Sequence, residues 1–286
     1  MRCALIASIL LVASVAHADE HAKPKKKLHW EEGRMRFTIP EYIATGILGP
    51  LAIAEYFLIQ EQSSPHWTGG ILFDDAVRDG LRLRDPTALK ASWAFADATG
   101  TMLVLMVTAL DSLTIPLVRG SPDVAWQLLT MDAEAFTLTS LVAVTAYDTI
   151  GRARPAYADC TNNTGNVPAF ACYGSLNASF PSGHIAEAFN SAGLSCAHHL
   201  FQHVYGNRAA DVFGCARDLT LATTEAFLRM MGDRHYFSDV FVGSLIGFGI
   251  GFGVPSLLHY MKWKHRVMAV PMAGPHQAGI SFGGAF

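Results

Sequence analysis

The chain carries little charge for its length. Only 16% of its 286 residues are Asp, Glu, Lys or Arg, and they nearly cancel to a net −3. It therefore has no basic stripe for nucleic acid. Half of the residues are hydrophobic, which excludes a chain kept unfolded by charge. Internal repeats and low-complexity runs are absent, and strand-like alternation is scarce before the C-terminus. What remains is one or two domains' worth of apolar sequence, ample for a sizeable core.

Cysteine is sparse, with five in all. Cys3 precedes "ALIASILLVASVA", and Ala16-His17-Ala18 offers a small-residue cleavage site. With Arg2 in front, residues 1–18 read as a secretory signal peptide. Export would place the other four cysteines in an oxidising compartment. Cys160 and Cys172 flank the polar loop "CTNNTGNVPAFAC", so a disulfide is expected there, worth roughly 3 kcal/mol by loop-closure entropy. Cys196 and Cys215 fall within helical stretches, where a second bridge is the alternative and free buried thiols are the first reading.

After a polar tail, apolar stretches run at about 42–60, 92–118, 124–147, 184–203, 211–231 and 238–260. Between them stand Gly69-Gly70, Asp85-Pro86, Gly120-Ser121-Pro122, the 151–181 loop and Gly206-Asn207. This pattern predicts an all-α bundle of about six core helices. A small hairpin around Ala273-Gly274-Pro275 is expected to follow. The division is a signal peptide (1–18), a loosely ordered polar tail (19–41), a first helix with its connection (42–91), a catalytic helical domain (92–261) and a C-terminal tail (262–286). The 238–260 stretch is long enough to cross a bilayer, and 42–60 also qualifies despite Glu55. Asp97, Asp111, Asp132, Glu134, Glu187 and Glu225 interrupt the others, and any that lie in membrane must face the bundle interior. Asp132 and Glu134 are read as structural. A soluble, unusually apolar bundle is the alternative.

The helix lengths bring three motifs to one pole. From His184 the chain runs out about 18 residues and returns to Arg229 through a similar length, roughly 27 Å each way at 1.5 Å per residue. In "SFPSGHIAEAFN" Pro181, Ser182, Gly183 and His184 open a helix, whose first amides and dipole favour an anion. In "RMMGDRHYFSD" Arg229 is followed by Arg234, His235 and Asp239. Asp239, one turn beyond His235, is placed to accept its N–H and free the other ring nitrogen. Arg152 and Arg154 of "GRARP" join the set, and arginine forks suit phosphate oxygens. The plainer reading pairs these arginines with Asp148, Asp159 or Asp233.

Arg154-Pro155, then Pro181-Ser182-Gly183-His184, then Arg229-x5-His235-x3-Asp239 resembles the type 2 phosphatidic acid phosphatase and vanadium haloperoxidase superfamily, over about residues 90–260. Secreted acid phosphatases are among its relatives. The resemblance implies a metal-free phosphatase in which His235 attacks phosphorus, Asp239 orients it and His184 is the acid–base. Arg154, Arg229 and the Ser182 and Gly183 amides would hold the oxyanions. Candidate additions to the phosphate site are Tyr147, Arg152 and Arg234.

Two positions depart from the family. Tyr147 stands where a lysine is usual, which would cost about 1.5–3 kcal/mol, or ~10–150-fold in rate, if nothing compensates. Leu228 replaces a serine that helps bind phosphate. The expected function is a cell-envelope phosphomonoesterase acting on a lipid phosphate, such as phosphatidic or isoprenoid phosphate, or on a small phosphate ester. No metal, cofactor or nucleic acid is expected, and a membrane is an expected partner. The alternatives are a vanadate-holding haloperoxidase and a non-catalytic phosphate-binding relative.

Topology adds a conflict. Six spans behind a cleaved leader point the site inwards, while Lys23, Lys25, Lys26 and Lys27 favour an internal N-terminus. An outward-facing pole, or a soluble periplasmic bundle, is the expectation.

Overall fold

A computed structural model describes residues 27–58 and 64–262, and the backbone of 266–274 and 277–285. The expected signal peptide lies outside the described residues, as do Cys3, Lys23, Lys25 and Lys26. So does the Tyr147 side chain.

The architecture is an all-α bundle followed by a hairpin. Helix α1 spans Ile39–Leu58, the short α2 Asp74–Leu81 and α3 Pro86–Leu105, which continues through a π-helical segment to Val118. Helix α4 is Pro122–Ile150 and the short α5 is Tyr157–Thr161. Helix α6, Gly183–Ala197, extends to Gln202; α7 is Arg208–Met231; α8, Phe237–Pro255, extends to Tyr260. The six long helices are those the apolar stretches predict. Strands β1 (Arg266–Gly274) and β2 (Gln277–Ala285) pair antiparallel across the expected turn.

Part of the polar tail is ordered. Leu28 and Phe37 are buried against Val124, Leu128 and Tyr260, and Arg34 donates to the Gln202 side chain and the Phe201 carbonyl. These contacts fix 27–38 to one pole, called distal here.

Consecutive long helices alternate in direction, so α1, α4 and α7 end at the opposite pole, where α3, α6 and α8 begin. The contact between α6 and α8 sets the geometry there. A Cβ on Gly247 would overlap the Ala186 carbonyl, and one on Gly251 would overlap that of Asn190. Only glycine lets these two backbones approach so closely.

Cys160 and Cys172 form the expected disulfide. The free-thiol reading of Cys196 and Cys215 is corrected, because they too are bonded, with Cα atoms 4.3 Å apart. They lie ten and nine residues either side of Gly206, so the antiparallel α6–α7 turn brings them level.

Among the described residues, Pro86–Val118, Pro122–Ile150 and Phe237–Tyr260 are long and apolar enough to cross a membrane, which supports membrane association. Most of the carboxylates turn inwards as expected: Asp111 binds His199, Asp132 binds His198, Glu187 accepts from Ser140 and Glu225 pairs with Arg229, whereas Asp97 on α3 is exposed. Asp132 is thus structural and remote from the motifs. Exposed Ile43, Ile47, Leu51, Phe241 and Leu245 lie on the outside.

Candidate active site

The three motifs meet where α4, α6, α7 and α8 have their inner ends. Asp233, with φ of 56°, turns the chain between α7 and α8, and His235 follows in a buried position. Its Nδ1 lies 2.9 Å from the Ser179 carbonyl, which can only accept, so Nδ1 carries the proton. That fixes the tautomer and leaves a lone pair on Nε2, and the Arg154 Nη1 lies 3.4 Å from Nε2. Arg154 Nη1 also donates to the Arg234 carbonyl. Desolvation, then the charges of Arg154, His184, Arg229 and Arg234, hold the His235 pKa well below its ordinary 6.5. The ring is therefore neutral across the physiological range.

Asp239 sits one turn beyond His235, as the sequence placed it, but does not accept the His235 N–H. Its Oδ2 is 3.9 Å from His235 Nδ1, beyond hydrogen-bond reach. Instead Oδ2 accepts from Ser179 Oγ at 2.6 Å and from the Tyr236 amide at 2.8 Å, while Oδ1 accepts from Arg152. Asp239 caps the start of α8 and anchors the residue whose carbonyl holds His235. The orienting group is Ser179, which the sequence reading missed because a backbone carbonyl leaves no side-chain signature.

Arg152 is corrected as a phosphate ligand. Fully buried, it donates to Ser238, Asp239, Asp74 and the Gly69 carbonyl, and its guanidinium lies 4.1 Å from the Trp67 ring centre. Asp74 also accepts from the Ser238 amide and hydroxyl, so this pair ties the 69–81 segment beneath the site. Asp159 and Asp233 pair with Arg78 and Arg82 rather than with the motif arginines.

Ser182 precedes α6 and is fully buried. Its amide donates to the Asp239 carbonyl, which removes it from the expected amide cradle. Its Oγ has no hydrogen-bond partner among the described residues, which suits a donor awaiting an anion. Gly183 begins the helix, where amides lack intrahelical partners. Arg229 is buried and binds Asp97 at 2.8 Å and Glu225 at 3.2 Å through Nη2. Arg234 stacks 4.7 Å over Trp93. Leu228 is half-buried one residue before Arg229.

His184 is the exposed member of the set. Desolvation at the crowded pole, then Arg229, Arg154 and Arg234, lower its pKa below 6.5. The ring still meets solvent, so the three arginine charges are the firmer cause. A neutral buried imidazole, a second imidazole at the rim and a cationic wall suit transfer of an oxyanion group.

Residues 130–264 match the model of the PAP2 superfamily. That stretch contains all three motifs, and the resemblance they carry holds. Among solved structures the chain is similar to the crystal structure of the first transmembrane PAP2 type phosphatidylglycerolphosphate phosphatase from Bacillus subtilis. Identity is 16%, the TM-score is 0.49, and the alignment covers 77% of this chain and 94% of that one. A comparison with curated proteins finds no match.

Proposed function

We propose that this chain, matched to the PAP2 superfamily over residues 130–264, is a membrane-associated phosphatase of the cell envelope that works through a phosphohistidine. The observation that carries the reading is His235, neutral, proton on Nδ1, with Nε2 beside Arg154. The Nε2 lone pair attacks phosphorus and the bond to the leaving oxygen breaks. His184 gives that oxygen a proton. Water then attacks the phosphohistidine, His184 takes its proton, and inorganic phosphate leaves with His235 restored. Arg154, Arg229, Ser182 Oγ and the Gly183 amide hold the equatorial oxygens, while Arg234 adds positive potential. Asp239 acts as a positioning residue through Ser179. No metal or vanadate takes part in these steps.

The substrate is a phosphomonoester, with a lipid phosphate favoured over a small ester. Candidate membrane helices and exposed apolar side chains flank the pole, so an acyl or isoprenoid chain can lie along them while its head reaches His235. The active pole faces the periplasm or exterior.

The test compares purified protein with His235→Ala, using an aryl phosphate and phosphatidic acid, with chelator and in the cold, where folding is verified by circular dichroism. Phosphate release by the parent alone is expected. Equal release by both, or none by a folded parent, rejects the reading.

A further inference from the structure

The distal pole holds a second cluster with different chemistry. Glu41 from α1, Glu134 from α4 and His259 from the last turn of α8 each present a ligand atom, all within 4.8 Å of one another. His259 is fully buried, and neither ring nitrogen has a hydrogen-bond partner among the described residues. The same is true of Glu134 Oε2. A buried imidazole with both nitrogens unsatisfied is costly.

The protein shows how its buried histidines otherwise meet carboxylates. His198 stands 2.8 Å from Asp132, and His199 stands 2.9 Å from Asp211 and 3.2 Å from Asp111. His259 Nε2 instead remains 3.7 Å from Glu41 and 3.8 Å from Glu134. Two donors bound at ~2.1 Å to one tetrahedral ion are about 3.4 Å apart, so the wider spacing suits a shared ion better than a shared proton. Phe37 stacks on the His259 ring, with centroids 5.7 Å apart, and fixes its plane. Glu41 Oε2 accepts from Thr38, which leaves Oε1 towards His259. Thr45, one turn beyond Glu41, and Ser256, one turn before His259, also carry buried hydroxyls without partners among the described residues.

We propose that Glu41, Glu134 and His259 bind a divalent first-row cation, zinc above all, which clasps α1 to α4 and α8. One imidazole and two carboxylates are borderline-to-hard donors that suit such an ion. From Asp239 to His259 the α8 axis covers about 30 Å at 1.5 Å per residue. The ion is therefore structural and takes no part in phosphate transfer. Helix α1 lies outside the 130–264 match, so the clasp ties an element outside that stretch to two helices within it.

The test uses full-length protein purified without chelator or histidine tag. Elemental analysis is expected to find one equivalent of zinc, and a chelator-stripped sample should regain it with a rise in Tm. Glu134→Gln and Glu41→Gln should each weaken zinc binding by ~10–100-fold and abolish the Tm rise. Manganese is titrated in parallel. A stripped parent that takes up neither ion, or variants that bind like the parent, would overturn the proposal. If Glu134→Gln does not fold, Glu41→Gln at the rim decides alone. Metal content and Tm do not report phosphate release, so failure here is distinguishable from failure of the phosphatase reading.

Discussion

At the scale of the residue, the proposed mechanism asks opposite protonation states of two histidines that share a cationic field. His235 must be neutral to attack, and its depressed pKa keeps it so as pH falls. His184 must carry a proton to release an alkoxide, and its pKa is also lowered from 6.5. The fraction of His184 able to act as acid therefore grows as pH falls, and the lowered His235 pKa delays the opposing loss of the nucleophile. For an alkyl phosphate, kcat/KM at pH 5 is expected to exceed that at pH 7.5 by at least about tenfold. An aryl phosphate, whose leaving group needs less help, should show a shallower rise, and His184→Gln should remove the difference between the two. A kcat/KM that increases from pH 5 to 7.5 would reject this assignment of acid and base. Both histidines and the Arg154–Arg229 pair were legible from spacing. The buried fate of Arg152 was not, because nothing in "GRARP" announces that Asp74 will meet it from 78 residues away.

At the scale of the element, the packing of α6 on α8 decides where Ser182 and His184 stand relative to His235. Gly243, Gly247 and Gly251 recur every fourth residue and form one stripe against α6. Of these, Gly247 faces the Ala186 carbonyl, a backbone atom that cannot swing aside. Gly247→Ala should therefore push the helices apart and lower Tm by several degrees, in the range of overpacking at about 1–3 kcal/mol. The same movement should lower kcat at least tenfold, since misplacement of about 1 Å can cost 100-fold. Gly249→Ala is the control, because its added Cβ meets nothing within 4 Å. Equal effects from the two variants would mean that the stripe does not position the site. The long helices were legible because apolar runs and turn signals agree. Their edges were less so: Asp85-Pro86 reads as a turn, yet Asp85 accepts from the Ala88 amide and Pro86 opens α3. Helix α2, "DDAVRDGL", is too short to stand out among the long apolar runs, yet Val77 and Leu81 pack one turn apart against the core and Asp74 reaches Ser238 across the fold.

At the scale of the molecule, the two poles differ in their chemistry. The inner ends of α4 and α7 supply the cationic cluster, and the Cys160–Cys172 loop lies at the same pole, where Phe170 meets the Trp93 ring on which Arg234 stacks. The distal pole holds the ordered tail and the end of α8, from which β1 and β2 continue. An even number of long helices puts 27–38 and the end of α8 together, opposite the site. Cys196–Cys215 joins two helices within the bundle, whereas Cys160–Cys172 closes a polar loop at the catalytic pole. A loop disulfide belongs in an oxidising space, so an embedded bundle should direct its catalytic pole outwards and its distal pole inwards. A fluorescent protein that folds only in the cytoplasm, appended after Phe286, should then be bright. Intact cells should hydrolyse a membrane-impermeant aryl phosphate, and His235→Ala should abolish that activity without dimming the fusion. A dark fusion with activity only after lysis would reverse the orientation. A dark fusion whose activity is released with the soluble envelope fraction would instead make the bundle soluble, with its exposed apolar side chains serving a lipid substrate rather than a bilayer.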